Sequence, residues 1–177
     1  MGEQERSERR EASASPGEAK TGGTLLVERL AHEGIPEICA MYKRVWESHR
    51  PELPPALVKA WVPTPLEFTS WMEGVTYFAA RRDGRMIGAV GCEIADGSCR
   101  LLHLAVDPES RRQGVATALV AAALEWAKRN QCHSVWVEAL ARFSAAAELL
   151  RHEKFEESGV LHRHFLAEDV RLFERLL

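Results

Sequence analysis

The stretch LAVDPESRRQGVATALV, residues 104–120, restricts the fold more than any other part of the chain. A short apolar run stops at Val106, Asp107-Pro108 turns the chain, and Pro108 has no N–H to continue a ladder. An alanine-rich helix follows, expected over residues 111–129. The first N–H groups of a helix lack intrahelical partners. Together with the positive end of the helix dipole they form an anion site. Gly114 removes a side chain where a ligand would approach the backbone, and Ala116 keeps the next turn thin. Arg111 and Arg112 add positive charge where a helix start disfavours it, at roughly a few tenths of a kcal/mol each. A bound polyanion would justify them. The plainer reading is a solvated basic turn.

The 177 residues suit one domain, with about two-thirds of the unfolded surface buried on folding. TLLVERL (24–30) reads as a strand, and residues 34–50 carry apolar side chains at helical spacing, with Pro36 in the first turn. Residues 51–65 hold five of the eight prolines, so PPALVKAW and TPLEFTSWMEG make only short helices. This segment carries Trp61, Phe68 and Trp71 and reads either as a packed connector or as the rim of a ligand site. Asp83-Gly84 and Asp96-Gly97 are hairpin turns, which makes 75–106 three antiparallel strands. CHSVWVEAL is a strand, FSAAAELLRHEKF a helix, and two strands follow, one from Phe155 and one over VRLFERLL. The order predicts a single α/β domain with a mixed sheet over residues 24–177. The polar segment 1–23 reads as a disordered tail without a signal-peptide core.

Several function classes fit poorly. A net charge of −3 lacks the basic face that nucleic-acid binding needs. No run of about 18 apolar residues suggests a membrane span. Cys39, Cys92, Cys99 and Cys132 form no CxxC pair and have no histidines at zinc spacing, so they read as reduced, buried side chains of a cytoplasmic protein without a metal. Neither GxxxxGK[ST] nor GxGxxG is present.

The same stretch resembles the acyl-CoA motif [RQ]-x-x-G-x-[GA] of the GNAT superfamily of N-acetyltransferases, here Arg111-x-x-Gly114-x-Ala116. The order of elements agrees from about residue 24 to 177. The resemblance implies a mostly antiparallel mixed sheet of six to seven strands with a central splay, flanked by about four helices. It also implies acetyl-CoA as cosubstrate. Its pyrophosphate would lie on the backbone N–H groups of Arg111, Arg112, Gln113, Gly114, Val115 and Ala116, with Thr117 nearby. Its pantetheine arm would pair with Leu104, Ala105 and Val106 like an added strand. A homodimer is compatible with the family and has no signal here.

The implied reaction is attack of a neutral primary amine on the thioester within a ternary complex. It calls for a base, because an alkyl ammonium with pKa near ~10 is almost wholly protonated at pH 7. VWVEALARFSAAAELLRHEKF is similar, without gaps, to bacterial acetyltransferases of ribosomal-protein N-termini, in which a glutamate at the position of Glu138 is the base. Glu93 is the second candidate. Phe143, Leu150 and Lys154 replace the group's usual Asn, Tyr and Gly, and that Tyr is the usual acid for the thiolate. His162 or His164 could serve instead, the thiolate could leave unassisted, or the domain could bind acyl-CoA without efficient turnover. His103 falls out of phase with Arg100 and Leu102, so strand alternation turns it to the opposite face as a structural residue. The acceptor, a small amine or a peptide or protein N-terminus, carries no motif.

Overall fold

A computed structural model describes residues 23–177. The tail expected over residues 1–23 lies outside them, apart from Gly23. Seven strands form one sheet: β1 (Leu25–Arg29), β2 (Val75–Arg82), β3 (Arg85–Ala95), β4 (Ser98–Val106), β5 (Ser134–Leu140), β6 (Glu156–Phe165) and β7 (Glu168–Leu176). Their order is β1-β2-β3-β4-β5-β7-β6. Every neighbouring pair is antiparallel except β4 and β5.

The described residues form five α-helices rather than about four: α1 (Ile35–Glu47), α2 (Pro55–Trp61), α3 (Pro65–Trp71), α4 (Val115–Arg129) and α5 (Ser144–His152). The proline-rich segment supplies two, because Pro55 and Pro65 each stand at a first helical position, where a missing N–H costs nothing. Thr64 and Glu67 close a reciprocal capping box on α3. α4 starts at Val115 rather than 111, because Arg112 (φ 60°) and Gly114 (φ 77°) are left-handed and cannot belong to a right-handed helix.

α4 and α5 cover one face of the sheet, and α1 to α3 cover the other. Val115, Leu119, Val120, Ala123, Leu124 and Ala127 form the buried stripe of α4, whereas Ala121 and Glu125 are exposed. The helix is therefore one-sided. It lies close on β3, where a Cβ on Gly88 would stand 3.0 Å from both the Ala105 carbonyl oxygen and Leu119 Cδ1.

Two irregularities shape the centre. β4 and β5 pair only from Ser98↔Ser134 to Leu101↔Val137. Beyond Leu101, β4 stays with β3 while β5 continues against β7 as far as Leu140↔Val170, and a gap opens between them. β4 is also bulged: Gly91 faces Leu102 and Ala89 faces Ala105, so His103 and Leu104 together oppose Val90. His103 takes φ 53° there, which shifts the alternation.

Candidate active site

At the open end of the gap, a 3-10 turn (Pro108–Ser110) carries the chain from β4 to α4. Asp107 anchors it. The carboxylate is 2% exposed and takes Arg44 Nε at 2.8 Å and Arg85 at 3.0 Å. Burial opposes its ionisation, but the Arg44 hydrogen bond and charge, the Glu109 amide and Arg85 outweigh that and hold the carboxyl below its usual range. Gln113 is gripped from two sides, by Arg82 and by its own Nε2 donating to the Glu109 carbonyl at 3.0 Å.

Between these anchors, the backbone N–H groups of residues 112–117 make no hydrogen bond to any described residue; the first one made is Ala118 to Gly114 O, 3.0 Å. The left-handed Arg112 and Gly114 curl this run into a nest of donors at the N-terminus of a 15-residue helix. A Cβ on Gly114 would meet nothing within 4 Å, so the space before the nest is open. Arg111 turns away from it, towards the Val106 carbonyl (3.4 Å) and His49 Nε2 (3.0 Å). Arg111 therefore braces the loop against the end of α1 instead of reaching outward.

Inside the gap lies a cavity of about 240 Å³ lined by Leu102 to Leu104, Glu138 to Leu140 and the inner side of α5. Asp107 N donates to Ile87 O at 2.8 Å, so alternation turns the amides of Leu104 and Val106 away from β3 and into the gap. Glu138 lies on the cavity wall and Glu93 does not. Arg100 bridges the two carboxylates, 2.7 Å from Glu138 Oε2 and 3.9 Å from Glu93, with its guanidinium over the Trp136 ring. Glu138 Oε1 faces His164 Nε2 at 3.9 Å and accepts no hydrogen bond from a described residue.

A model of the acetyltransferase (GNAT) family matches residues 35–154, more than half of the chain. The chain belongs to this family. No curated protein sequence matches it. Solved structures share the fold at low identity. The ribosomal-protein-S18-alanine N-acetyltransferase from Escherichia coli is 20% identical with a TM-score of 0.71, over 86% of this chain and 94% of that one. A ribosomal-protein-alanine N-acetyltransferase from Brucella melitensis is 20% identical with a TM-score of 0.72, over 86% and 99%. The paia N-acetyltransferase from Thermoplasma acidophilum, in complex with coenzyme A, is 12% identical with a TM-score of 0.73, over 87% and 99%.

In this GNAT domain the chain runs from Leu104–Val106 through the 3-10 turn to Arg111–Thr117, and Glu138 shares the cavity wall with Leu104. Glu93 stands apart on the exposed side of Arg100, itself 41% exposed. His162 and His164 do not converge: three residues of β6 bulge opposite Asp169, so His162 pairs with Asp169 (3.2 Å) while His164 turns to Glu138. Phe143 and Leu150 line the cavity, and α5 offers no hydroxyl at either position. Among the described residues no cluster of three or more His, Cys, Asp or Glu side chains could hold a metal ion. No described helix is long and apolar enough to cross a membrane.

Sequence reasoning missed Arg44, Arg85 and Asp107 as the loop's clamp. It also missed Arg100 as the bridge between both candidate bases, and Trp46, Phe143 and Phe165 as the aromatic neighbours of Trp61 on the cavity wall. His103 departs from its expected face. Its ring stacks on Trp71 (4.2 Å) and its Nδ1 meets the Tyr77 hydroxyl at 2.7 Å, on the side that carries Arg100. The bulge puts it there.

Proposed function

We propose that this domain transfers the acetyl group of acetyl-CoA to a primary amine by direct attack within a ternary complex. One observation carries the reading: six consecutive amides without a partner among the described residues lie at the end of the strand that borders Glu138, whose Oε1 accepts no hydrogen bond from them. Amide donors at a helix N-terminus suit a pyrophosphate. The inward amides of Leu104 and Val106 suit an extended pantetheine, which would complete the missing strand pairing. When bound, acetyl-CoA supplies the activated acyl group; the rest falls to the protein's side chains and backbone.

Glu138 Oε1 takes one proton from the incoming ammonium, while Arg100 fixes Oε2 and hence the carboxylate's orientation. The amine nitrogen forms the new C–N bond as the C–S bond breaks. The sulfur keeps the bonding pair and takes up the second nitrogen proton directly or through water. Leu150 offers no proton there, so the thiolate leaves without an acid from α5. A thiol pKa near ~8.5 makes that departure feasible. A missing general acid costs about 10²- to 10⁴-fold in rate, so slow turnover is expected.

A second reading, a non-catalytic acyl-CoA sensor, draws on Leu150 and on the Arg100–Glu138 ion pair. Calorimetric titration with acetyl-CoA, followed by CoA-release assays on an amine panel, separates the two. Micromolar binding that Gly114→Glu abolishes is expected, since the variant adds a negative charge beside the amide donors and strains a left-handed position (φ 77°). Glu138→Gln should lower turnover at least tenfold and leave acetyl-CoA affinity within about twofold. Unchanged turnover would remove Glu138 as the base. Tight acetyl-CoA binding without CoA release on any amine would favour the sensor.

A further inference from the structure

The base uses only part of the cavity. Its far wall is aromatic and is assembled from four separate elements. Trp46 comes from α1, Trp61 from α2, Phe143 from the turn before α5 and Phe165 from the end of β6. The rings form a continuous array: Trp46 to Trp61 at 4.5 Å, Trp61 to Phe165 at 5.4 Å and nearly parallel (13°), and Trp46 to Phe143 at 6.4 Å. Their backs rest on a small apolar core of Leu53, Leu57, Val58, Leu140 and Val170. All four are half-buried and line the cavity, unlike Phe68 or Phe173, which are fully buried.

The polarity of that cavity narrows what can enter. Among its lining side chains the only ionisable ones are Arg100, His103 and Glu138. Arg100 is already paired with Glu138. No lining cation is therefore left to receive an acceptor's carboxylate, and the aromatic wall offers few partners to the polar backbone of an extended peptide. An arriving ammonium, by contrast, meets ring faces that attract a cation and a carboxylate that accepts its proton. The carbon skeleton behind it meets flat apolar surface, on which an aromatic ring stacks in offset or edge-to-face geometry.

We propose that the acceptor is an arylalkylamine: a primary amine on a short chain, with an aromatic body lodged against Trp46, Trp61 and Phe165. The proposal rests on the acetyl-transfer reading for its chemistry but names the acceptor class from the wall alone. Trp61 carries the specificity, because it stands between Trp46 and Phe165 and touches both.

The test compares 2-phenylethylamine with propylamine, glycinamide and an alanyl-initiated hexapeptide, following CoA release. Expected is a kcat/KM for 2-phenylethylamine at least tenfold above each of the others. In Trp61→Ala the ratio of 2-phenylethylamine to propylamine should collapse at least tenfold, and Trp61→Phe should restore most of it. A ratio is immune to a general loss of folded protein. Equal or better use of propylamine, glycinamide or the peptide would overturn the proposal, as would an unchanged ratio in Trp61→Ala. A binding arm keeps the two readings apart: CoA-saturated protein is titrated with 2-phenylethylamine while the indole N–H resonances are recorded. Shifts of Trp46 and Trp61 without turnover of any amine would uphold the aromatic site and sink acetyl transfer. No shift and no turnover would sink both.

Discussion

His103 sits in a left-handed backbone position within a strand, which costs an ordinary side chain about 1–2 kcal/mol. Tyr42 Oη donates to its carbonyl at 2.8 Å and Trp71 covers its ring, so tertiary contacts hold it there. The hydroxyl of Tyr77, a residue 1% exposed, has the His103 imidazole as its one hydrogen-bond partner among the described residues. The hydroxyl therefore donates to Nδ1, and the ring proton belongs on Nε2. Burial, and then the charge of Arg100, lower the His103 pKa to about 4. Between about pH 4 and 6.5 the unfolded chain thus binds a proton that the native one refuses, and stability falls as pH drops through that window. The contribution is on the order of 3 kcal/mol across the window. His103→Gln keeps an acceptor for Tyr77 and should remove this part of the acid sensitivity. Urea unfolding of both proteins at pH 7, 5.5 and 4.5 measures it; parallel profiles would refute the assignment. Strand alternation alone put this residue on the wrong face. A bulge is set by pairing across two strands, and a single strand's sequence does not contain that information.

Turn chemistry decided which elements could be read in advance. Asp83-Gly84 (φ 51° and 78°) and Asp96-Gly97 (φ 51° and 77°) adopt the two positive φ angles that tight hairpins require, and these dipeptides are their usual signal. The β6–β7 hairpin uses the same two angles with Leu166 (φ 48°) and Ala167 (φ 66°), residues that carry no such signal. Leu166 is also half exposed. Replacing Leu166-Ala167 by Asn-Gly should relieve the strain and stabilise the domain by about 1–2 kcal/mol, seen as a raised urea midpoint with an unchanged m-value. A lowered midpoint would mean that Leu166 supports the fold through contacts of its own. The segment 51–74 kept two readings open in the sequence, packed connector or rim, and the structure joins them. Leu57, Val58 and Phe68 are buried, while Trp61 faces the cavity. Helical spacing identifies an apolar face but not what lies across from it.

At the scale of the whole molecule, the sheet is two antiparallel halves held together by little backbone. β1 to β4 form one and β5, β7 and β6 the other, and four register pairs join them. The motif from Val106 to Ala116 was legible because a strand, a turn, a glycine and a helix follow one another in the chain. The gap, the Asp107 clamp and the aromatic wall were not, because each is made by elements far apart in sequence: Arg44 with Asp107, Arg100 with Glu138, Trp61 with Phe165. A ligand that fills the gap touches both halves and stands in for the missing pairing. Acetyl-CoA should therefore act as a mechanical link as well as a substrate. At a hundredfold excess over its Kd it should add about 2.7 kcal/mol to stability by mass action. How that energy is distributed separates this picture from simple surface binding. Amides of Leu104, Val106 and residues 112–117, which have no partner across the gap or in the loop, should gain hydrogen-exchange protection first. The β6–β7 half, which contributes nothing to the nest, should gain protection only through its coupling to β5. Protection confined to residues 112–117 would mean that the ligand is held by its phosphates alone and leaves the halves unlinked. Protection that extends along β4 and into β5 would make cofactor binding the event that closes the sheet.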